Sequence, residues 1–117
     1  MKENLVRDKS YLFALSIIEL YKILVEKNEF VMSKQVLKSG TSIGANIEEA
    51  LAGQSRPDFL SKMSIASKEA RETLYWLRLL RDSNTLAPEQ LVDLIDESES
   101  LINILTSIVK TTAIKKA

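Results

Sequence analysis

The 117-residue sequence contains neither cysteine nor histidine. Without cysteine there can be no disulfide, no thiolate metal site and no thiol nucleophile. Without histidine the usual general base, the usual zinc ligand and the Glu-x-x-His pattern of di-iron bundles are missing, and most hydrolytic and metal chemistry goes with them. Serines and threonines are plentiful, yet a serine nucleophile needs an activating base, and no recognised serine–lysine spacing supplies one. A non-enzyme without cofactor or metal is expected. Neither sign of charge is in excess, with 16 Lys+Arg against 16 Asp+Glu, so no chain-wide basic field attracts polyanions. Long apolar runs are lacking too. Crossing a bilayer takes ~20 apolar residues, and Ser16, Glu19 and Lys22 interrupt the longest run. The charged stretch from Met1 to Asp8 has no apolar segment followed by a small-residue cleavage site, so a cytoplasmic setting away from membranes is the expectation.

Glycine and proline are scarce, three and two in number. Both prolines, Pro57 and Pro88, stand where a helix would begin and the missing N–H does least harm. Long helices joined by short turns follow. Hydrophobic residues make up 45% and charged residues 27%, the balance of a globular protein, and the length fits one domain, residues 1–117.

The spacing predicts a first helix over about 9–27. From Tyr11 to Val25 twelve of fifteen positions are apolar or aromatic. Ser16, Glu19, Lys22 and Glu26 form a narrow polar side, leaving an apolar arc wider than the ~100° stripe of a helix on a monomer's surface. Such a helix has to be covered from more than one direction. A second helix over about 33–53 would follow Asn28 and Glu29 and end at Gly53, a residue suited to a left-handed cap. Its interior, Ser39-Gly40-Thr41-Ser42-Ile43-Gly44-Ala45-Asn46-Ile47, is rich in small residues. Val36, Ile43, Ile47 and Leu51 keep helical spacing across both glycines, which favours a continuous helix over a loop. Each glycine costs ~1 kcal/mol relative to alanine, which points to close backbone approach as the compensation.

Ser55-Arg56-Pro57-Asp58 reads as a capping box that launches a third helix over 57–82. Phe59, Met63, Ala66, Ala70, Thr73, Leu77 and Leu80 then alternate steps of four and three, the rhythm of a bundle core. A fourth helix over about 88–113 keeps that rhythm through Leu91, Leu94, Ile95, Leu101, Ile102, Leu105, Ile108 and Val109. Four helices with short connections make an all-α, antiparallel up-down-up-down four-helix bundle.

Gly40 and Gly44 do not form a phosphate cradle, since no strand precedes them and the Gly-Lys-Ser/Thr ending is absent; their spacing is that of a helix-packing notch. Glu48, Glu49, Glu69 and Glu72 could ligate a metal only through oxygen, and surface ion pairing, for example Lys68 with Glu72, is the plainer reading. Lys68, Arg71, Tyr75 and Arg78 fall on one stripe of the third helix. Basic side chains with an interleaved aromatic can contact phosphates and stack on a base, so this stripe is the nucleic-acid-binding candidate. Read without function it is a solvated face salted with Glu69 and Glu72. Trp76, Tyr21 and Phe30 belong to the core or a subunit interface. Charge is also segregated: Glu89, Asp93, Asp96, Glu97 and Glu99 lie between Asn84 and Val109 with no base among them, while Lys110, Lys115 and Lys116 form a basic tail.

Together, Ser39-Gly40-Thr41-Ser42-Ile43, Asn46-Ile47, Glu49, Asp58-Phe59, Ile65-Ala66, Ala70, Glu72 and Tyr75-Trp76-Leu77 closely resemble the four-helix-bundle family of 23S rRNA intervening-sequence proteins. The resemblance runs from Tyr11 to about Val109. It implies a bacterial, non-catalytic bundle that assembles with itself, as a homopentameric ring. It extends to the accessory variability proteins of diversity-generating retroelements, strongly basic binders of nucleic acid and reverse transcriptase, from which this sequence departs in its zero net charge. The functional expectation is an oligomeric scaffold that binds RNA or DNA; the alternative is an adaptor for another protein.

Overall fold

The computed structural model describes residues 1–116, with side-chain surroundings through Ile114, and folds them into four helices: α1 Lys2–Glu26, α2 Phe30–Ala52, α3 Arg56–Asp82 and α4 Pro88–Lys116. Helix α1 begins seven residues before the expected start near Lys9, because Val6 and Ser10 are buried and its first turns rest on the bundle. Helix α2 starts at Phe30 rather than Ser33: the Glu29 carboxylate caps it by accepting from the Met32 N–H at 3.3 Å. Helix α4 runs to Lys116, past the expected end near 113. The side chains of Lys115 and Lys116 in the basic tail lie outside the described residues.

Each turn has a local cause. Asn28 and Asn84 are the non-glycine residues with positive φ, 63° and 61°, and asparagine tolerates that conformation where most side chains resist it. Gly53 does not provide the left-handed cap expected of it; its φ is −64° and ψ 149°. What it provides is room, since a Cβ there would stand 3.1 Å from the Ala50 carbonyl oxygen. Ser55 caps α3 by accepting from the Asp58 N–H at 3.2 Å, and Gln90 reaches back to accept from the Ala87 N–H at the start of α4.

Helix α2 packs on α1 and α3, and α4 on α3 and α1, while the diagonal pairs keep their backbones apart. Gly40 meets Ile17 and Gly44 meets Ser10, so advancing along α2 means retreating along α1. Thr73 meets Ser39 and Lys62 meets Glu49 in the same reversed order. The result is a rod of about 48 × 20 × 20 Å.

The core faces are those set by the apolar rhythm. Met63, Ala66, Ala70, Leu77 and Leu80 of α3 are buried, as are Leu91, Leu94, Ile95, Leu101, Ile102, Leu105 and Ile108 of α4; Phe59, Leu51 and Val109 are partly buried at the margin. Helix α2 continues unbroken through both glycines. A Cβ on Gly40 would come within 2.8 Å of Cγ1 and Cγ2 of the fully buried Ile17, so the glycine is a notch that receives that side chain. Beside it a polar pair crosses the core: the Thr73 hydroxyl donates to the Glu69 carbonyl at 2.8 Å and pairs with Ser39 Oγ at 2.9 Å.

Candidate nucleic-acid interface

Helix α1 buries Val6, Ser10, Phe13, Ile17, Leu20 and Leu24. The remainder of its wide apolar arc stays uncovered by the chain's own helices, with Tyr11 61%, Leu12 63% and Leu15 46% exposed and Ile18 beside them. Phe30 is not core; at the first turn of α2 it is exposed, whereas Tyr21 and Trp76 are half-buried.

Lys68, Arg71, Tyr75 and Arg78 all stand exposed on the outer face of α3. Ten residues separate the first from the last, which is about 15 Å along the axis. Their surroundings differ. The Arg71 guanidinium donates to Thr106 Oγ1 on α4 at 3.0 Å, which seats it on the α3–α4 seam. The Tyr75 ring meets Trp76 edge-on, with centroids 5.2 Å apart. Arg78 borders an open cavity of about 470 Å³ with Arg81, Val92, Asp96 and Glu99. The antiparallel register therefore lays the acidic first half of α4 against the Arg78 end of the stripe. Arg81 bonds Asp82 at 2.8 Å; that bond raises the arginine's pKa and lowers the aspartate's.

The glutamates serve as surface partners. Glu49 pairs with Lys62 at 2.8 Å. Glu72 accepts from Trp76 Nε1 at 3.2 Å, and the expected Lys68–Glu72 ion pair does not form among the described residues. Burial, then the neighbouring Glu72 charge, pushes the Glu69 carboxyl up, and Lys38 opposes the rise. Among the described residues no cluster of three or more potential metal-ligating side chains forms. No helix there is long and apolar enough to cross a membrane.

Helix-by-helix reading placed Lys110 only in a basic tail and missed Lys2, which meets α4 from the side of α1. Lys2 Nζ of α1 donates to Ser107 Oγ at 2.6 Å, and Lys110 stands exposed one turn beyond Thr106 and Ser107. No periodicity could have found Lys2, since its bond spans 105 residues.

The sequence model of the family described as 23S rRNA-intervening sequence protein matches residues 2–107. A crystal structure at 1.70 Å resolution from Bacteroides thetaiotaomicron VPI-5482, described as a protein with unknown function from the S23 ribosomal protein family, is 54% identical. The match covers 94% of this chain and 99% of that one, with a TM-score of 0.91. Among curated proteins none matches.

Proposed function

The chain belongs to the 23S rRNA-intervening sequence protein family, and from that premise we propose that it is a non-catalytic cytoplasmic scaffold that assembles with itself, as a homopentamer, and binds RNA or DNA. The observation that carries the assembly is the outward apolar face of α1. Tyr11, Leu12, Leu15 and Ile18 form a contiguous exposed patch, and such patches mark protein contacts. Repeating the basic face of α3 around a ring, with Lys68 and Arg71 on each copy, gives a multivalent surface on which weak phosphate contacts reinforce one another.

Multi-angle light scattering at micromolar concentration tests the assembly. The wild-type protein should run at about five times its 13.2 kDa chain mass, and Leu12→Glu with Leu15→Glu should yield a helical monomer; a wild-type monomer sinks the scaffold reading. Fluorescence anisotropy with labelled oligonucleotides across a salt series tests the second half, because binding through phosphates weakens steeply with salt.

A second reading, an adaptor for another protein, is favoured by the cavity beside Val92. There an exposed apolar side chain stands between arginines and carboxylates. Flat titrations at low salt would select it.

A further inference from the structure

The α3–α4 face is not uniform along its length. Toward the start of α4 it carries Asp96 and Glu99 beside Arg78 and Arg81, whereas from Ser100 to Ala117 the chain has no acidic residue at all. In that acid-free half two cations from different helices are anchored on consecutive hydroxyls of α4. Arg71 reaches Thr106 from α3 at 3.0 Å, and Lys2 reaches Ser107 from α1 at 2.6 Å. The two straddle α4 from opposite sides. Lys110 follows on the outer face one turn later, and the antiparallel register brings Lys68, one turn before Arg71, toward the same level. Among the described residues none of these four forms an ion pair with a carboxylate within 4.0 Å. Arg71 and Lys2 hold neutral hydroxyls rather than carboxylates.

Resting on the nucleic-acid reading above, we propose that Lys2, Lys68, Arg71 and Lys110 form the seat of a nucleic-acid phosphate backbone, and that the Arg78 end of the stripe lies outside it. Helix α4 supplies the surface, while α1 and α3 supply cations on its flanks. An open cavity of about 440 Å³ continues the patch, with Lys2, Arg56, Thr111 and Thr112 in its lining and Glu3 its one carboxylate. This surface is hydroxyl-rich and basic without an exposed aromatic at its centre, which suits phosphate and sugar contacts rather than base readout. Arg78, in contrast, faces Asp96 and Glu99 across a shared cavity, and those carboxylates repel a phosphate.

The test is anisotropy of the full chain with labelled duplex DNA, duplex RNA and single-stranded RNA of one length, from 50 to 300 mM salt. Lys2→Gln with Lys110→Gln removes two contacts from exposed positions. Each contact contributes about 0.9 to the log–log salt slope on duplex DNA, so the slope should fall by about 1.8 per contacting subunit and affinity at 0.1 M salt by about 60-fold. Arg78→Gln should change affinity less than twofold. Circular dichroism and light scattering of each variant exclude unfolding or loss of assembly as the cause. If the wild type binds and Arg78→Gln weakens it while Lys2→Gln/Lys110→Gln does not, this seat is wrong and the broader reading survives. If the wild type binds none of the three probes at low salt, both fall. Displacement of the oligonucleotide by polyglutamate at equal charge concentration would assign the patch to an acidic protein and overturn the proposal.

Discussion

Gly40→Ala sets two effects of opposite sign against each other. In an isolated helix it would stabilise by about 1 kcal/mol, because glycine loses more backbone entropy on folding than alanine does. In this bundle the new Cβ would stand 2.8 Å from both Cγ1 and Cγ2 of Ile17. Those atoms are attached directly to Cβ of a fully buried, β-branched residue, so they cannot swing aside without moving the backbone. Overpacking of that kind costs about 1–3 kcal/mol. The difference is a destabilisation of about 1 kcal/mol, or a fall in Tm of about 4 °C for a chain of this size. Ile17→Ala clears the space at its own cost of about 2–5 kcal/mol. On that background Gly40→Ala should reverse sign and stabilise by about 1 kcal/mol, a coupling of about 2 kcal/mol in the double-mutant cycle. Chemical denaturation followed by circular dichroism at one protomer concentration measures all four proteins, since self-association would otherwise mix concentration into stability. Gly44→Ala is an internal comparison with a milder penalty, its nearest neighbour being Ser10 Oγ at 3.3 Å. If Gly40→Ala stabilises the parent and the two changes add, close approach is not the reason for the glycine.

Three further outcomes follow from the structure. Ser33 Oγ is fully buried with no hydrogen-bond partner, so Ser33→Ala should raise stability by about 1 kcal/mol, read from the denaturation midpoint; a loss would mean that the hydroxyl is satisfied. Asn84 holds a φ of 61°, so Asn84→Ala should destabilise by about 1 kcal/mol while Asn84→Gly stays near neutral; equal effects would refute the conformational argument. Burial pushes the Glu69 carboxyl above the usual carboxylate range. A group whose pKa is raised by folding favours the native state below its unfolded pKa, and that contribution disappears as pH rises through the folded value. Glu69→Gln should therefore flatten the stability profile just above pH 4.5; an unchanged profile between pH 4 and 7 would show that Glu69 does not supply that slope.

Much of this protein is written locally. The steps of four and three through Met63, Ala66, Ala70, Thr73, Leu77 and Leu80 are a property of one helix, and all six are buried. The Ser55 cap is equally short in range, a bond between residues three apart. The stripe of Lys68, Arg71, Tyr75 and Arg78 was legible for the same reason, and it is exposed along its whole length. Its neighbours were not legible. That Arg78 faces Asp96 and Glu99 depends on the register of α4 against α3, which no single-helix pattern encodes.

Helix period, the Ser55 cap and the core faces of α3 and α4 thus follow from residues a few positions apart, because backbone hydrogen bonds and the 3.6-residue turn act over that range. What surrounds each outward side chain is decided by packing between helices. Ile17 found the notch at Gly40, Arg71 reached Thr106 on the fourth helix, and Lys2 came to that helix across 105 residues of chain. Those outcomes depend on interhelical register and shape, and only the assembled bundle fixes both.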